Sequence, residues 1–168
     1  MNATLARDVL AATVIWRPLS VADIEAVAAL ELAAHVAPWT EGNFRDALAA
    51  GYGMQVGAAD GAIVAYGVLL FTPGEAQLLN LTVAPEVRRL GIGRALLGRF
   101  LADARARGAE HCFLEVRVSN LPAIALYTRE GFLPVARRIG YYPSPGAGPR
   151  EDALVMRRAL APSQSEVS

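Results

Sequence analysis

The chain has 168 residues, of which 54% are hydrophobic and 19% charged. That length suits one domain with its own core, and that composition excludes a disordered chain. Sixteen acidic residues cancel sixteen basic ones, so no global field favours nucleic acid or a membrane surface, and an anionic ligand has to be held locally.

Every basic residue is arginine, which excludes Schiff-base chemistry and the lysine of a Walker-type phosphate loop. His35, His111 and Cys112 are scattered along the sequence and give no metal site. Cys112 has no partner for an internal disulfide, and the first residues, with Arg7 and Asp8, lack an apolar signal core. No stretch reaches the roughly 20 apolar residues of a membrane span. The expected location is the cytoplasm.

Residues 1–12 are read as an N-terminal extension, 13–160 as one domain and 161–168 as a flexible polar tail. Thr13 to Arg17 alternates as a first strand. Ser20 then caps a helix whose apolar face is expected to be Ile24, Val27, Ala28 and Leu32. Thr40 caps a second helix running through Leu48. Gly53 to Ala58 and Ala62 to Phe71 form an antiparallel pair, because Asp60-Gly61 tolerates the positive φ angles of a tight hairpin. Pro73-Gly74 turns the chain into a strand from Gln77 to Val83.

From Gly91 to Arg107 the apolar positions Ile92, Leu96, Leu97, Phe100, Leu101 and Ala104 follow the helical period, with Gly108 as C-cap. His111 to Val118 is a strand, and Asn120 caps a third apolar helix that Gly131 ends. Phe132 to Arg137 and Asp152 to Arg158 complete the sheet, joined by a Pro/Gly-rich loop that also carries Tyr141, Tyr142 and Pro143. The strand-helix-strand crossover from Gln77 to Val118 requires a parallel pair, whereas the hairpin requires antiparallel pairing. The predicted fold is therefore mixed α/β, mostly antiparallel with one parallel pair.

The chemistry concentrates in Leu81 to Leu97, L-T-V-A-P-E-V-R-R-L-G-I-G-R-A-L-L. A strand passes through Pro85 and two arginines into a helix entered at Gly91 and Gly93. The unpaired amides of that first turn and the positive end of the helix dipole suit a pyrophosphate, with Arg88, Arg89 and Arg94 able to add charge. Two glycines at a helix start are equally compatible with a plain helix entry. A dinucleotide-binding fingerprint fits worse: Leu96 replaces its third glycine, a long connection separates Val83 from Gly91, and an antiparallel first half leaves no room for two mononucleotide units.

R-R-L-G-I-G, with Arg88 first, resembles the [Gln/Arg]-x-x-Gly-x-[Gly/Ala] signature of GNAT acetyltransferases. A-P-W-T-E-G-N-F, L-E-V-R-V-S-N, A-I-A-L-Y, E-G-F, Y-Y-P and R-E-D-A-L-V-M resemble the RimI-type subfamily, whose members acetylate the N-terminal alanine of small-subunit ribosomal protein eighteen. The resemblance spans Trp16 to Leu160. It implies the GNAT fold, with the parallel strands splayed so that acetyl-CoA adds its pantetheine arm like a strand. The implied contacts to acetyl-CoA are Leu81, Thr82, Val83, Arg89, Leu90, Gly91, Ile92, Gly93, Arg94 and Asn120. Glu115 would be the general base and Tyr127 the general acid in a direct transfer. The implied partner is a ribosomal-protein N-terminal peptide, with neither nucleic acid nor membrane. Pro38-Trp39 and Tyr141-Tyr142-Pro143 would lie on the substrate side.

Blander readings stand beside these. Glu115 shares a strand face with Arg117 and could pair with it on a solvated surface, and Tyr127 could be a core tyrosine. Cys112 faces away from His111 along the strand, which argues against an acetyl-cysteine route.

Overall fold

A computed structural model describes residues 13–144 and 146–161. The expectations for residues 1–12 and 162–168 fall outside the described residues. Seven strands form one sheet in the order β1-β2-β3-β4-β5-β7-β6. They are β1 (Ile15–Pro18), β2 (Gly53–Ala59), β3 (Ala62–Thr72), β4 (Glu75–Val83), β5 (His111–Arg117), β6 (Leu133–Tyr142) and β7 (Glu151–Ala159). The helices are α1 (Ile24–Ala34), α2 (Glu41–Ala49), α3 (Ile92–Ala106) and α4 (Leu121–Arg129). The chain divides into two compact units, one reaching Leu69 and resuming at Asn80–Gly98, the other comprising Leu70–Leu79 and the chain from Arg99 onward.

In the first unit, β1 pairs antiparallel with β2, and β2 with β3. The β2–β3 hairpin turns at Asp60 and Gly61, whose φ angles of 50° and 77° are what the sequence pattern requires. Opposite Trp16 stands Gly57, where a Cβ would lie 2.7 Å from the indole, so only glycine lets β1 close on β2.

The helix α1 departs from the expected face. Its buried residues are Ile24, Val27 and Glu31, while Leu32 is 71% exposed. The apolar phase expected from Ile24 and Val27 thus meets a carboxylate at the next inward position. Glu31 is only 2% exposed and is surrounded by donors: the Tyr66 hydroxyl at 2.6 Å, Asn80 Nδ2 at 2.9 Å and the Trp39 backbone N–H at 3.1 Å. His35 Nε2 lies 3.5 Å away and 2.8 Å from Thr82 Oγ1, which donates in turn to Asn80 Oδ1 at 2.7 Å. The rings of Trp39, Phe44 and Tyr66 stack edgewise behind this network, at centroid separations of 5.3 and 6.0 Å. Thr40 caps α2 reciprocally with Asn43.

In the second unit, Glu75 to Leu78 of β4 pair parallel with His111 to Leu114 of β5, as the crossover demanded. β5 pairs antiparallel with β7 along its whole length, and β7 with β6. Cys112, Leu114 and Val116 are buried, whereas His111, Phe113, Glu115 and Arg117 occupy the other, partly exposed face. All six apolar positions assigned to α3 are at most 2% exposed.

β6 runs farther than its sequence suggested, so Tyr141 and Tyr142 belong to a strand and not to a loop. As the edge strand it accommodates Pro134, whose missing N–H needs no ladder partner.

Removing the Glu31 carboxylate takes the acceptor from two buried donors, Tyr66 and Asn80, each costing about 1–3 kcal/mol, and from the part-buried Trp39 N–H. Glu31→Ala is expected to lower unfolding free energy by about 2–5 kcal/mol, and Glu31→Gln, which retains one acceptor oxygen, by less. Urea unfolding followed by circular dichroism measures both.

Candidate active site

The first unit carries the glycine-rich turn. β4 alternates along its length, so Asn80 and Thr82 point inward while Leu81 and Val83 are partly exposed. After β4, Pro85–Val87 form a single 3-10 turn, and Arg88 Nε donates to the Val83 carbonyl at 3.2 Å, folding the connection back on the strand that precedes it. Arg89 and Gly91 then take left-handed φ angles of 63° and 81°. Two such residues flanking Leu90 reverse the chain tightly before α3. Ala95 N–H donates to the Gly91 carbonyl at 3.0 Å. The amides of Ile92 and Gly93 precede that bond, in the first turn of the helix. No atom lies within 4 Å of a Cβ placed on Gly91. The turn is open around Gly91, with Arg88 and Arg89 exposed beside it. Such a helix entry could hold a pyrophosphate, and its glycine is required by φ rather than by crowding.

The second unit carries the proposed proton carriers. Glu115 does not pair with Arg117. Arg117 Nη1 lies 3.0 Å from Glu151 Oε2, and its guanidinium sits 4.4 Å from the Tyr142 ring centre. Glu115 instead receives Arg138 Nε from β6 at 2.9 Å, and the Tyr141 hydroxyl is hydrogen-bonded to it. That bond, followed by burial, raises the Tyr141 phenol above its ordinary pKa. Tyr142 is pushed up to about 12, first by burial and then by the Glu115 charge.

Tyr127, inward on α4, is 7% exposed with the Phe132 ring 5.8 Å away. Burial is the main reason its phenol holds its proton far above the ordinary range, with smaller contributions from Tyr142 and Cys112. Tyr142 is thus electrostatically linked to Glu115 and to Tyr127. Asn120 caps α4 by accepting the Ala123 N–H at 3.3 Å, which leaves its Nδ2 free to donate elsewhere.

Sequence reasoning missed Arg138 and the Glu31 group, and it placed Tyr141 on the substrate side without its contact to Glu115. Arg138 and Tyr141 reach Glu115 only because β6 extends past Arg137, and no local pattern marks that extension. Glu31 and its partners had a signal: a carboxylate in the apolar phase of α1, and Asn80 with Thr82 in the inward alternation of β4.

The family model of the GNAT acetyltransferases matches residues 24–132. The chain belongs to that family. It is 36% identical over 138 residues to the [ribosomal protein bS18]-alanine N-acetyltransferase of Escherichia coli K12, covering 82% of this chain and 92% of that relative. The crystal structure of the ribosomal-protein-S18-alanine N-acetyltransferase from Escherichia coli superposes with a TM-score of 0.82 at 32% identity, over 92% of this chain and 99% of that one. Ard1 from Thermoplasma volcanium follows at a TM-score of 0.81 and 27% identity, over 89% and 99%.

As a GNAT acetyltransferase the chain is an acyltransferase that uses acetyl-CoA, and its seven-stranded sheet with one parallel pair is the GNAT fold. No described helix is long and apolar enough to cross a membrane.

Nothing in the GNAT reading uses Cys112. Burial pushes its thiol up to about 12, so at pH 8 almost none is thiolate, the nucleophilic form. The native enzyme is expected to leave Cys112 unalkylated by iodoacetamide at that pH and to expose it only on unfolding. Mass spectrometry reads the modification, and rapid native labelling would reverse the assignment.

Proposed function

We propose that this enzyme is a cytoplasmic N-α-acetyltransferase whose acceptor is the N-terminal alanine of ribosomal protein bS18. The observation that carries the substrate is similarity along 92% of a protein named for that reaction. Acetyl-CoA supplies the activated acyl carbon. The turn from Arg89 to Arg94 would hold its pyrophosphate, Leu81 to Val83 would offer strand edge to the pantetheine arm, and Asn120 Nδ2 would donate to the same ligand.

Glu115 is the base in this reading. An ammonium has no lone pair, so its proton passes, through water, to the Glu115 carboxylate before attack. The amine nitrogen then bonds to the acyl carbon while the carbon–sulfur bond breaks. Tyr127 gives its proton to the departing thiolate. The second proton of the amine restores Tyr127, and Glu115 returns its own to solvent, so one proton is released per turnover.

An α-amine is favoured by its own chemistry. With a pKa near 8 it is about a tenth free at pH 7, whereas a lysine amine near 10.4 is free in less than about a thousandth of molecules. Tyr141, beside Glu115, would lie on the acceptor side.

Three measurements test this. An alanine-initiated peptide is expected to outcompete the same peptide with a blocked terminus and internal lysine, and also a polyamine. Preference for either competitor overturns the acceptor and leaves the family standing. Tyr127→Phe is expected to lower kcat about 10²- to 10⁴-fold with little change in peptide KM, and Glu115→Gln to lower the rate most at low pH, where free amine is scarce. Unchanged rates would remove both roles. Gly91→Ala forces a Cβ into a left-handed φ at about 1–2 kcal/mol. It should weaken acetyl-CoA about five- to thirtyfold by calorimetry.

A further inference from the structure

Glu115 meets a cation before any acceptor arrives. Arg138 Nε lies 2.9 Å from its Oε1, and the two side chains differ sharply in exposure, 15% for Glu115 and 55% for Arg138. Both line a cavity of about 180 Å³ whose other walls include Glu75, Gln77, Phe113 and Val155. Arg138 is the single cation of that lining, set against two carboxylates. An acceptor ammonium approaching Glu115 would have the guanidinium as a like-charged neighbour, which opposes its binding unless one cation leaves.

The geometry makes Arg138 the one that can leave. Its side chain is more than half exposed, so it can swing out into water, and the incoming ammonium replaces it as the partner of Glu115. A second resting place is at hand, because its guanidinium already lies 5.5 Å from the centre of the Tyr141 ring. The backbone that carries it is fixed. Arg138 is opposite Ala153 in the ladder, and the residues that follow are tied by Gly140 N–H to Asp152 Oδ1 at 2.8 Å and by Arg150 Nε to the Gly140 carbonyl at 2.6 Å. The side chain can move while its anchor does not.

We propose that Arg138 is a displaceable counter-cation, filling in the resting enzyme the seat at Glu115 that the acceptor's ammonium takes on binding. The proposal rests on the reading of Glu115 as the group that meets the acceptor amine. It makes acceptor binding an exchange of one cation for another. The Glu115 carboxylate stays neutralised and oriented between turnovers, and a neutral molecule entering the cavity cannot displace the guanidinium.

An exchange has a kinetic signature that a structural role lacks. Salt weakens the resting pair and the incoming pair alike, so wild-type KM for a peptide with uncharged side chains should vary little with ionic strength. In Arg138→Gln the seat is empty. Peptide KM is expected to fall about two- to fivefold at low salt, the range set by an exposed ion pair, and to rise as salt is added. KM for acetyl-CoA should be unchanged. Arg138→Lys keeps the cation and is expected to restore the flat salt response. Peptide KM in Arg138→Gln that rises, stays at the wild-type value or remains insensitive to salt overturns the exchange. Wild-type enzyme that leaves the alanine peptide unacetylated removes the substrate reading and the exchange together, whereas a competent wild type beside an unaltered Arg138→Gln removes the exchange alone.

Discussion

A carboxylate without water must be given donors, and Glu31 imposes that requirement on four parts of its unit at once. α1 delivers the carboxylate, the connection before α2 supplies the Trp39 N–H, β3 supplies the Tyr66 hydroxyl and β4 supplies Asn80. Withdrawing any one donor exposes the others to the full cost of an under-solvated charge, several kcal/mol in principle. The four segments are therefore not independently adjustable. Register in β4 follows, since a slip of one residue would turn Asn80 and Thr82 outward and bring Leu79 and Leu81 to the carboxylate. The strand segment assigned to acetyl-CoA and the Trp39 segment assigned to the peptide share one anchor, with His35 and Thr82 extending it.

The second unit solves a different problem, delivering side chains from an edge strand. In a regular ladder, β6 would place alternate residues on opposite faces. Between the pairs Arg138–Ala153 and Tyr142–Glu151, however, Ile139, Gly140 and Tyr141 stand against Asp152 alone. Such a bulge re-aims what it carries. Gly140 takes a φ of 58°, and Asp152 accepts both its N–H and Arg137 Nε. Those bonds, Gly140 foremost, hold the Asp152 carboxyl below its usual range. Arg150 holds the Gly140 and Tyr141 carbonyls. The result is that Arg138 and Tyr141 reach Glu115 together, while Tyr142 lies under Arg117.

What was legible in the sequence divides along the same lines. Hairpin chemistry at Asp60-Gly61, the period of α3, the cap at Thr40 and the parallel crossover are local or topological rules, and each reads directly from residue type and spacing. The glycine-rich turn was legible as a motif, though the reason for its glycine was not: Gly91 is needed for its φ of 81° and meets no neighbour. The face of α1 was misread because hydrophobic periodicity treats a glutamate as outward by type, and a carboxylate sits inward only when distant donors assemble around it. Tertiary pairing overrode the pattern there. Arg138 escaped for the same reason: its partner is set by a bulge whose cause, Asp152, lies across the ladder. Glu115 and Tyr127 came from resemblance, and what folding adds to them is their surroundings.

Those surroundings separate the two proposed proton roles by access to water. A base has to discharge its proton each turnover, so it belongs where solvent can reach it, and Glu115 lines an open cavity beside an exposed guanidinium. An acid is most useful if it never loses its proton to bulk water between turnovers. Burial gives Tyr127 that property, holding the phenol protonated throughout the physiological range. The same burial disarms Cys112 on the inward face of β5. Tyr142 is raised by the Glu115 charge on one side and bears on Tyr127 on the other. The Glu115 carboxylate thus bears on three residues of one strand, Arg138, Tyr141 and Tyr142 of β6.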